Sequence, residues 1–194
     1  MHKVGVTGGI GSGKTLVCEV FKRLGISVYN ADNEAKNILN SNAEVRKSIE
    51  NYFGQDIYKN NSLNKKKLAE IIFNNNEAIQ KINSIVHPVV RQNFIAWCKS
   101  HENKPYVIEE AAIIFESGVY KEFDYTINVF APEQIRIQRV MERDKATIED
   151  VKKRMQNQMN DDERMKLANF TIINDGTKMI IPQILEIHSK LVNQ

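Results

Sequence analysis

Cysteine, proline and tryptophan are scarce in this sequence, with 2, 4 and 1 copies among 194 residues. Cys18 and Cys98 lie in helix-like stretches among apolar residues, which indicates buried, reduced thiols rather than a disulfide. Nothing in this cysteine usage argues against the cytosol. A chain of this length buries about 70% of the surface that its unfolded form exposes, so it needs no disulfide or structural metal for stability.

Long apolar runs and a strong excess of one charge are also absent. No run approaches the roughly 18 apolar residues of a membrane span, and the first residues, MHKVGVTGG, contain no charged leader followed by an apolar stretch. We therefore expect a cytoplasmic protein with no signal peptide and no membrane partner. The net charge of +3 and the sequence pI of about 8.7 suit a small polyanionic ligand. They are too weak to indicate a nucleic-acid partner.

Short apolar strands alternate with helical segments along the chain. Apolar runs predict strands at residues 4–6, 26–29, 106–108, 125–130 and 170–173. The longer helical stretches between and after them lie at about 34–100, 133–167 and 178–192. This alternation predicts an α/β fold with a mainly parallel sheet and helices on both faces. No internal repeat or linker interrupts it, so residues 1–194 are predicted to form one domain.

The first strand ends in a glycine-rich segment, TGGIGSGKT, at residues 7–15. Gly8, Gly13, Lys14 and Thr15 fit the pattern G-x-x-x-x-G-K-S/T, between a strand and a helix as a phosphate-binding loop requires. Glycines let backbone N–H groups approach phosphate oxygens, and the helix N-terminus adds positive dipole charge. Lys14 reaches the β- and γ-phosphates, and the Thr15 hydroxyl ligates magnesium. The alternative is a glycine-rich turn with an exposed lysine.

A phosphate loop alone does not separate kinases from GTPases or motor-like ATPases. The N-K-x-D and D-x-x-G motifs of GTPases are absent, and the run 107–110 ends in glutamates where motor ATPases usually have an aspartate. Asp32 follows the second strand, and ligands of open α/β sheets bind at the carboxyl ends of the strands. Asp32 is therefore a candidate base for an attacking hydroxyl, which favours a small-molecule kinase. The alternative is that Asp32 only caps the following helix.

Two further segments carry groups that suit anions. Arg136, Arg139 and Arg143 lie at i, i+3 and i+7 on one stripe of a helix, where a triphosphate would give these mutually repelling charges hydrogen-bond partners. A solvated, charged helix is the alternative. His87 precedes a proline and stands four positions before Arg91, and a kinked or newly started helix is the alternative there. None of the four histidines pairs with another, or with a cysteine, at metal-ligand spacing.

Over nearly its full length the sequence resembles the dephospho-coenzyme A kinase family. The resemblance rests on seven collinear segments: TGGIGSGKT at 7–15, ISVYNAD at 26–32, INSIVHPVVR at 82–91, EAAIIFES at 110–117, RIQRVMERD at 136–144, RMQNQ at 154–158 and LANFTIINDG at 167–176. It implies a P-loop kinase-type parallel sheet flanked by helices, with its core at about 1–33, 105–132 and 168–194. It also implies a helical acceptor-binding insertion at about 34–104 and a helical lid at about 133–167.

The resemblance implies a kinase that uses ATP and Mg²⁺ to phosphorylate the ribose 3′-hydroxyl of dephospho-coenzyme A, the last step of coenzyme A synthesis. Catalytic roles are implied for Asp32, Lys14 and Arg139, and a metal-ligating role for Thr15. Contacts with dephospho-coenzyme A are implied for Asp32, His87, Arg91 and Glu116. Contacts with ATP are implied for Gly9, Gly11, Ser12, Gly13, Lys14, Thr15, Leu16, Arg143, Asn174 and Gly176.

Several positions depart from the family pattern. Asn30 replaces the first aspartate of D-A-D, Glu110 replaces an aspartate, and Ala112 replaces a proline. Two rival interpretations remain open. One is another small-molecule P-loop kinase, acting on a nucleoside, a nucleoside monophosphate or a sugar acid, and the HPVVR segment argues against it. The other is a non-catalytic nucleotide-binding regulator, and the retention of Lys14 and Asp32 argues against that.

Overall fold

The computed structural model describes residues 1–60, 62–72 and 75–193. In this part of the chain the backbone divides into two compact units. The sheet unit consists of Met1–Asn30 and His101–Gln194, and the helical unit consists of Ala31–Ser100.

Strands and helices alternate along much of the chain, as predicted. The strands are β1 (His2–Thr7), β2 (Ser27–Asn30), β3 (Tyr58–Lys59), β4 (Ser62–Leu63), β5 (Tyr106–Glu110), β6 (Tyr125–Phe130) and β7 (Phe170–Ile173). The α-helices are α1 (Lys14–Arg23), α2 (Ala31–Ser41), α3 (Ala43–Phe53), α4 (Lys65–Ile72), α5 (Asn76–Lys99), α6 (Glu133–Asp144), α7 (Ile148–Gln156), α8 (Asp161–Leu167) and α9 (Ile180–Val192).

Within the described residues of the sheet unit, five parallel strands form one sheet in the order β2-β5-β1-β6-β7. The central strand β1 pairs with β5 on one side and β6 on the other, and Val6 aligns with both Glu110 and Ile127. Every residue of β5 is buried, as expected for a parallel strand covered on both faces. The carboxyl ends of β1, β5 and β6 therefore lie side by side, and the glycine-rich loop leaves the sheet at this edge.

The core of the sheet unit lies between the sheet and the two helices α1 and α9. Phe21 of α1, Tyr106 of β5 and Ile184 of α9 are each fully buried in one apolar cluster. The hydroxyl of Tyr106 is satisfied by a 2.7 Å hydrogen bond with Nδ1 of His188 on α9. Burial raises the pKa of Tyr106, so this phenol stays protonated at neutral pH.

The helical unit consists of α2 to α5 and the short β3–β4 hairpin. α5 packs against α2 and α3 and buries Val86, Val90 and Phe94. Its first turn is capped by Asn75, whose Oδ1 accepts a hydrogen bond from the Ala78 N–H at 3.0 Å. The helix continues without interruption through its internal proline.

Several sequence-based expectations are confirmed and others are wrong. The strands predicted at 125–130 and 170–173 have the observed bounds, and both cysteines are buried free thiols. The hypothesis of a newly started helix at Pro88 is wrong, because α5 runs through it. The stretch 133–167 is helical, as predicted, and consists of three helices, since Lys145 adopts a left-handed φ of 55° after α6 and separate polar caps start α7 and α8. Across the described residues, no helix combines the length and apolar character of a membrane-spanning segment.

Neighbouring residues of α9 give a matched test of the core. Ile184 is fully buried and Leu185 is 45% exposed. Ile184→Ala should lower the free energy of unfolding by about 2–5 kcal/mol because it leaves a cavity. For a chain of this size each kcal/mol corresponds to about 2–4 °C in Tm, measured by thermal melting. The control Leu185→Ala should change stability by about 0.5 kcal/mol or less. Equal losses in the two variants would contradict this assignment of the core.

Candidate active site

The phosphate loop, residues 8–15, connects β1 to α1. Gly11 and Gly13 adopt φ angles of 78° and 97°, in the left-handed region that residues with a Cβ atom rarely occupy. Lys14 is the first residue of α1, and its Nζ donates a hydrogen bond to the Gly8 carbonyl oxygen at 2.8 Å. The N–H groups in the first turn of a helix lack intrahelical partners and carry partial positive charge. This end of α1 is therefore a suitable place for phosphate oxygens.

The loop is packed so closely that an added Cβ atom on any of its four glycines would lie less than 3.0 Å from another atom. A Cβ atom on Gly11 would lie 2.5 Å from the carbonyl oxygen of Arg136 in α6. A Cβ atom on Gly13 would overlap the side-chain amide of Asn174. That amide donates a 2.8 Å hydrogen bond to the Ser12 carbonyl oxygen. Helix α6 and the residue after β7 therefore fix the loop from two directions.

A buried carboxylate joins the loop to the strand edge. Glu110, the last residue of β5, is only 6% exposed. Its Oε1 accepts a hydrogen bond from the Thr15 hydroxyl and its Oε2 accepts one from the Asn30 side-chain amide, both at 2.8 Å. Two neutral donors thus hold both oxygens. Burial, with a smaller contribution from the Glu110 carboxylate, raises the pKa of the nearby Cys18, so this thiol stays protonated.

The arginine stripe of α6 divides into different environments. Arg136 is 5% exposed; its Nε donates to the Ala131 carbonyl oxygen at 3.0 Å and its Nη2 to Asp161 at 2.5 Å. Arg143 lies on the surface and forms hydrogen bonds to Asp144 at 2.7 and 3.0 Å, which lower the pKa of that carboxyl group. Each arginine therefore has a partly exposed carboxylate partner, but Arg136 itself is buried and Arg143 is exposed.

Arg139 is the member of the stripe that approaches the loop. Its Nη1 lies 3.5 Å from the carbonyl oxygens of Gly11 and Ser12, and its Nη2 lies 3.4 Å from Oδ1 of Asn174. These distances exceed those of strong hydrogen bonds. In the described part of the chain, the contacts that hold this guanidinium beside the phosphate loop are long, so it is well placed to exchange them for shorter bonds to phosphate.

The segment between α7 and α8 is attached to the phosphate loop and to the segment after β5. Oε1 of Gln158 accepts a hydrogen bond from the Ile10 N–H at 2.8 Å. The next N–H, of Met159, donates to Oε1 of Glu116 at 2.9 Å. Glu116, a predicted acceptor-binding residue, therefore contacts the connection between α7 and α8. The carbonyl oxygen of Met159 accepts from Nη2 of Arg164 at 2.6 Å.

Asp161 lies between two buried arginines. Its two carboxylate oxygens accept hydrogen bonds from Arg136 and Arg164. Arg164 is 2% exposed, and among the described residues its Nε and Nη1 lack a hydrogen-bond partner. Burial lowers the pKa of Arg164, and the charge of Asp161 opposes that effect. The cluster thus ties α6 to α8 directly beside Gly9, where an added Cβ would collide with the Arg136 guanidinium.

The predicted nucleotide residues outside the loop lie on the surface or at the end of β7. Leu16 is 53% exposed on α1. Gly176 lies in the exposed turn after Asn174 with a φ of 84°. The turn is closed by Asp175, whose Oδ1 accepts the N–H groups of Thr177 and Lys178 at 2.9 Å. These hydrogen bonds lower the pKa of Asp175 to about 2.

Three predicted residues lie in the helical unit. Asp32 is the second residue of α2 and is exposed, so it lies in the first turn and not at the capping position that the alternative interpretation gave it. His87 is on α5, which packs against α2. Reduced solvation lowers the pKa of His87, and the carboxylate of Asp32 acts in the opposite direction. The guanidinium of Arg91 lies over the Phe94 ring, 5.0 Å from its centroid.

Comparisons with known proteins agree on one family. A family model described as dephospho-CoA kinase matches residues 2–179. A dephospho-CoA kinase from Bacteroides fragilis is 38% identical over 185 residues, which cover 95% of this chain and 90% of that protein. The chain belongs to the dephospho-CoA kinase family. It is therefore an enzyme of the kinase class, and membership of the family implies the use of ATP.

Solved structures give the same result for the fold. The crystal structure of a Thermus thermophilus protein superposes with a TM-score of 0.83 at 28% identity and covers 99% of this chain and 96% of its own. A dephospho-CoA kinase from Campylobacter jejuni superposes with a TM-score of 0.72 at 27% identity, covering 98% and 97%. The predicted P-loop kinase-type sheet flanked by helices is thus confirmed.

The donors present at the loop suit the ligands of a kinase. The loop N–H groups suit phosphate, and the Ser12 hydroxyl is buried with no hydrogen-bond partner among the described residues. The Thr15 hydroxyl and the Glu110 carboxylate are oxygen ligands of the type that Mg²⁺ prefers.

Sequence reasoning did not assign roles to Gln158, Asp161 or Asn30. The first lies within the RMQNQ segment of the family resemblance, which was the available signal. Asp161 lies 25 residues along the chain from its partner Arg136. Asn30 lies 80 residues along the chain from its partner Glu110. Spacing in the sequence contains no trace of such pairs.

The close packing at Gly11 generates a prediction with an internal control. Gly11 and Gly25 both have positive φ, but an added Cβ at Gly25 would meet nothing within 4 Å. Both alanine variants should lose about 1–3 kcal/mol through backbone strain. Only Gly11→Ala should also displace α6 and weaken ATP binding, by about tenfold or about 1.4 kcal/mol. Thermal melting and ATP titration measure the two effects. Equal ATP affinities for the two variants would contradict the packing argument.

Proposed function

We propose that the chain transfers the γ-phosphoryl group of ATP to the ribose 3′-hydroxyl of dephospho-coenzyme A and so forms coenzyme A. The observation that carries the proposal is an intact phosphate loop, with Lys14 and Thr15 in place, in a chain whose family match spans residues 2–179. In this reaction the 3′-oxygen forms a bond to the γ-phosphorus, the bond from that phosphorus to the β-γ bridging oxygen breaks, and ADP leaves.

Positioning and charge neutralisation dominate the nucleotide side, because phosphoryl transfer requires little covalent chemistry from the protein. The N–H groups of Gly9–Thr15 surround the phosphates. Lys14 exchanges its bond to the Gly8 carbonyl oxygen for bonds to the β- and γ-phosphates. Arg139 exchanges its long contacts with the loop for bonds to the transferred group. Leu16, Asn174 and Gly176 complete the nucleotide site.

Thr15 would hold the magnesium ion through its hydroxyl, with the Glu110 carboxylate beside it. When bound, the ion supplies charge neutralisation at the β- and γ-phosphate oxygens. The stretch 133–167 acts as a lid that excludes water, which would otherwise compete with the acceptor. In the closed lid, Arg143 leaves its exposed pair with Asp144 and approaches the phosphates.

The acceptor side belongs to the region at about 34–104. Asp32 accepts the proton of the 3′-hydroxyl as that oxygen attacks, and His87 and Arg91 bind dephospho-coenzyme A. The Asp32 carboxylate opposes the lowering of the His87 pKa, so a change at Asp32 should be detectable at His87. Glu116 contributes from the segment after β5. Both substrates are water-soluble, which agrees with the predicted cytoplasmic location.

A screen of acceptors tests the function. With ATP and Mg²⁺, the purified chain should phosphorylate dephospho-coenzyme A in preference to adenosine, AMP or a sugar acid. ADP release and mass spectrometry of the product measure the reaction. Lys14→Ala, prepared in parallel, should lose activity by about a hundredfold or more, which excludes a contaminating kinase. Strong activity on AMP with none on dephospho-coenzyme A would transfer the assignment to another small-molecule kinase.

Asp32→Asn tests the proton acceptor. The substitution keeps the side-chain shape but removes general-base assistance, so turnover should fall by about a hundred- to ten-thousandfold with ATP affinity near the parental value. Stability should fall by about 1 kcal/mol or less, since Asp32 is an exposed acidic residue in the first turn of α2. Loss of the carboxylate should also lower the pKa of His87 further, which an NMR titration measures.

The control for Asp32→Asn is Glu34→Gln, which removes a charge from the same helical turn. Its turnover should stay within about threefold of the parent, as surface substitutions usually do. Parental turnover in Asp32→Asn would remove Asp32 from the catalytic residues without affecting the family assignment.

A further inference from the structure

The contacts of Glu110 define a hydrogen-bond chain with a fixed direction. The side-chain amide of Asn30 donates to Oε2, and the hydroxyl of Thr15 donates to Oε1, each at 2.8 Å. The carboxylate is 6% exposed, so water cannot readily replace either donor. Because a hydroxyl has one proton, the bond to Oε1 fixes its direction and leaves the lone pairs of the Thr15 oxygen to accept or to ligate.

We propose that Asn30 is a positioning residue for the magnesium site, acting through Glu110 on the hydroxyl of Thr15. The Asn30 amide fixes the carboxylate, and the carboxylate in turn fixes the Thr15 proton, so that the hydroxyl oxygen is presented to the metal. This inference rests on the proposed use of magnesium and ATP. It does not depend on the identity of the acceptor.

The kind of side chain that suits position 30 depends on the side chain at position 110. Glu110 ends β5 and reaches Thr15 with one oxygen, so its other oxygen needs a donor from the neighbouring strand. An aspartate at position 30 would place a second carboxylate at this distance, and the two groups would repel each other. An amide of the same shape supplies the missing donor instead. Removal of a residue that hydrogen-bonds to a metal-binding group, without binding the metal itself, typically lowers metal affinity by about 10- to 100-fold.

Exchange of the amide and the carboxylate between positions 30 and 110 is the test. It distinguishes a role for the hydrogen-bond chain from a requirement for negative charge at position 110. Asn30→Ala removes the donor to Oε2. Glu110→Gln removes the charge and one acceptor oxygen, and both hydrogen bonds then survive only if the Asn30 amide turns over. The double variant Asn30→Asp/Glu110→Gln restores both hydrogen bonds. In it, the new amide at position 110 would donate to the new carboxylate at position 30, and its carbonyl oxygen would accept from Thr15. The double variant keeps the net charge of the pair and moves the negative charge from position 110 to position 30.

The measurement is the Mg²⁺ concentration that gives half-maximal ATP binding, from calorimetric titrations at fixed ATP. Parallel titrations in EDTA report ATP binding without metal, and thermal melting reports folding. Each single variant should raise this Mg²⁺ concentration by about tenfold or more. The double variant should bring it back to within about threefold of the parental value. The control Asn93→Ala removes the corresponding amide donor at the exposed Asn93–Glu34 pair of the helical unit and should leave the Mg²⁺ requirement unchanged.

Two results would overturn the inference. One is a parental Mg²⁺ requirement in both single variants, whatever their melting temperatures. The other is a double variant no better than the singles although its melting temperature is parental, since the charge of Glu110 itself would then be required. Failure of the acceptor screen with intact magnesium-dependent ATP binding would refute the acceptor assignment alone. Equal ATP binding by the parent in Mg²⁺ and in EDTA would refute both magnesium proposals.

Discussion

Close packing of backbone around the phosphate loop is the constraint on which the rest of the site depends. Gly11 lies against the backbone of α6, and Gly13 lies against the amide of Asn174. Loop N–H groups converge on phosphate only if no side chain separates the loop from these supports. The same close contact also determines where Arg139 lies. Because α6 touches the loop at Arg136, Arg139 lies one helical turn later, beside Ser12. One steric requirement thus determines both the anion site and the position of Arg139 beside it.

The buried ionic cluster beside the loop is better explained by positioning than by stability. Burying Arg136 and Arg164 around the partly exposed Asp161 costs solvation that their mutual attraction only partly offsets, and two donors of Arg164 lack partners among the described residues. An apolar cluster of similar volume would stabilise the chain at least as well. It would not, however, hold α6 and α8 at a fixed distance from Gly9, nor place Gln158 where it binds the Ile10 N–H. The cluster is therefore consistent with a lid whose two ends are both anchored at the phosphate loop.

Most of the sheet and the phosphate loop could be predicted from the sequence, because both depend on short-range patterns. β6 and β7 are apolar runs with clear ends, and the loop has its own residue spacing. The β3–β4 hairpin was missed because two-residue strands have no periodicity. The different environments of Arg136, Arg139 and Arg143 were also beyond sequence reasoning. Helical spacing puts the three on one stripe, but only packing decides which is buried, and the partner of Arg136 lies 25 residues away.

The departures from the family pattern at positions 30 and 110 make physical sense only when they are considered together. Taken singly, Asn30 removes a charge from the strand end and Glu110 lengthens an acidic side chain. In the structure the longer carboxylate reaches both the Thr15 hydroxyl and the amide at position 30, and each change supplies what the other needs. A buried carboxylate is tolerated where its oxygens are hydrogen-bonded, and repelled where another carboxylate adjoins it. The pair therefore retains one buried negative charge at the carboxyl ends of β2 and β5, beside the hydroxyl that ends the phosphate loop.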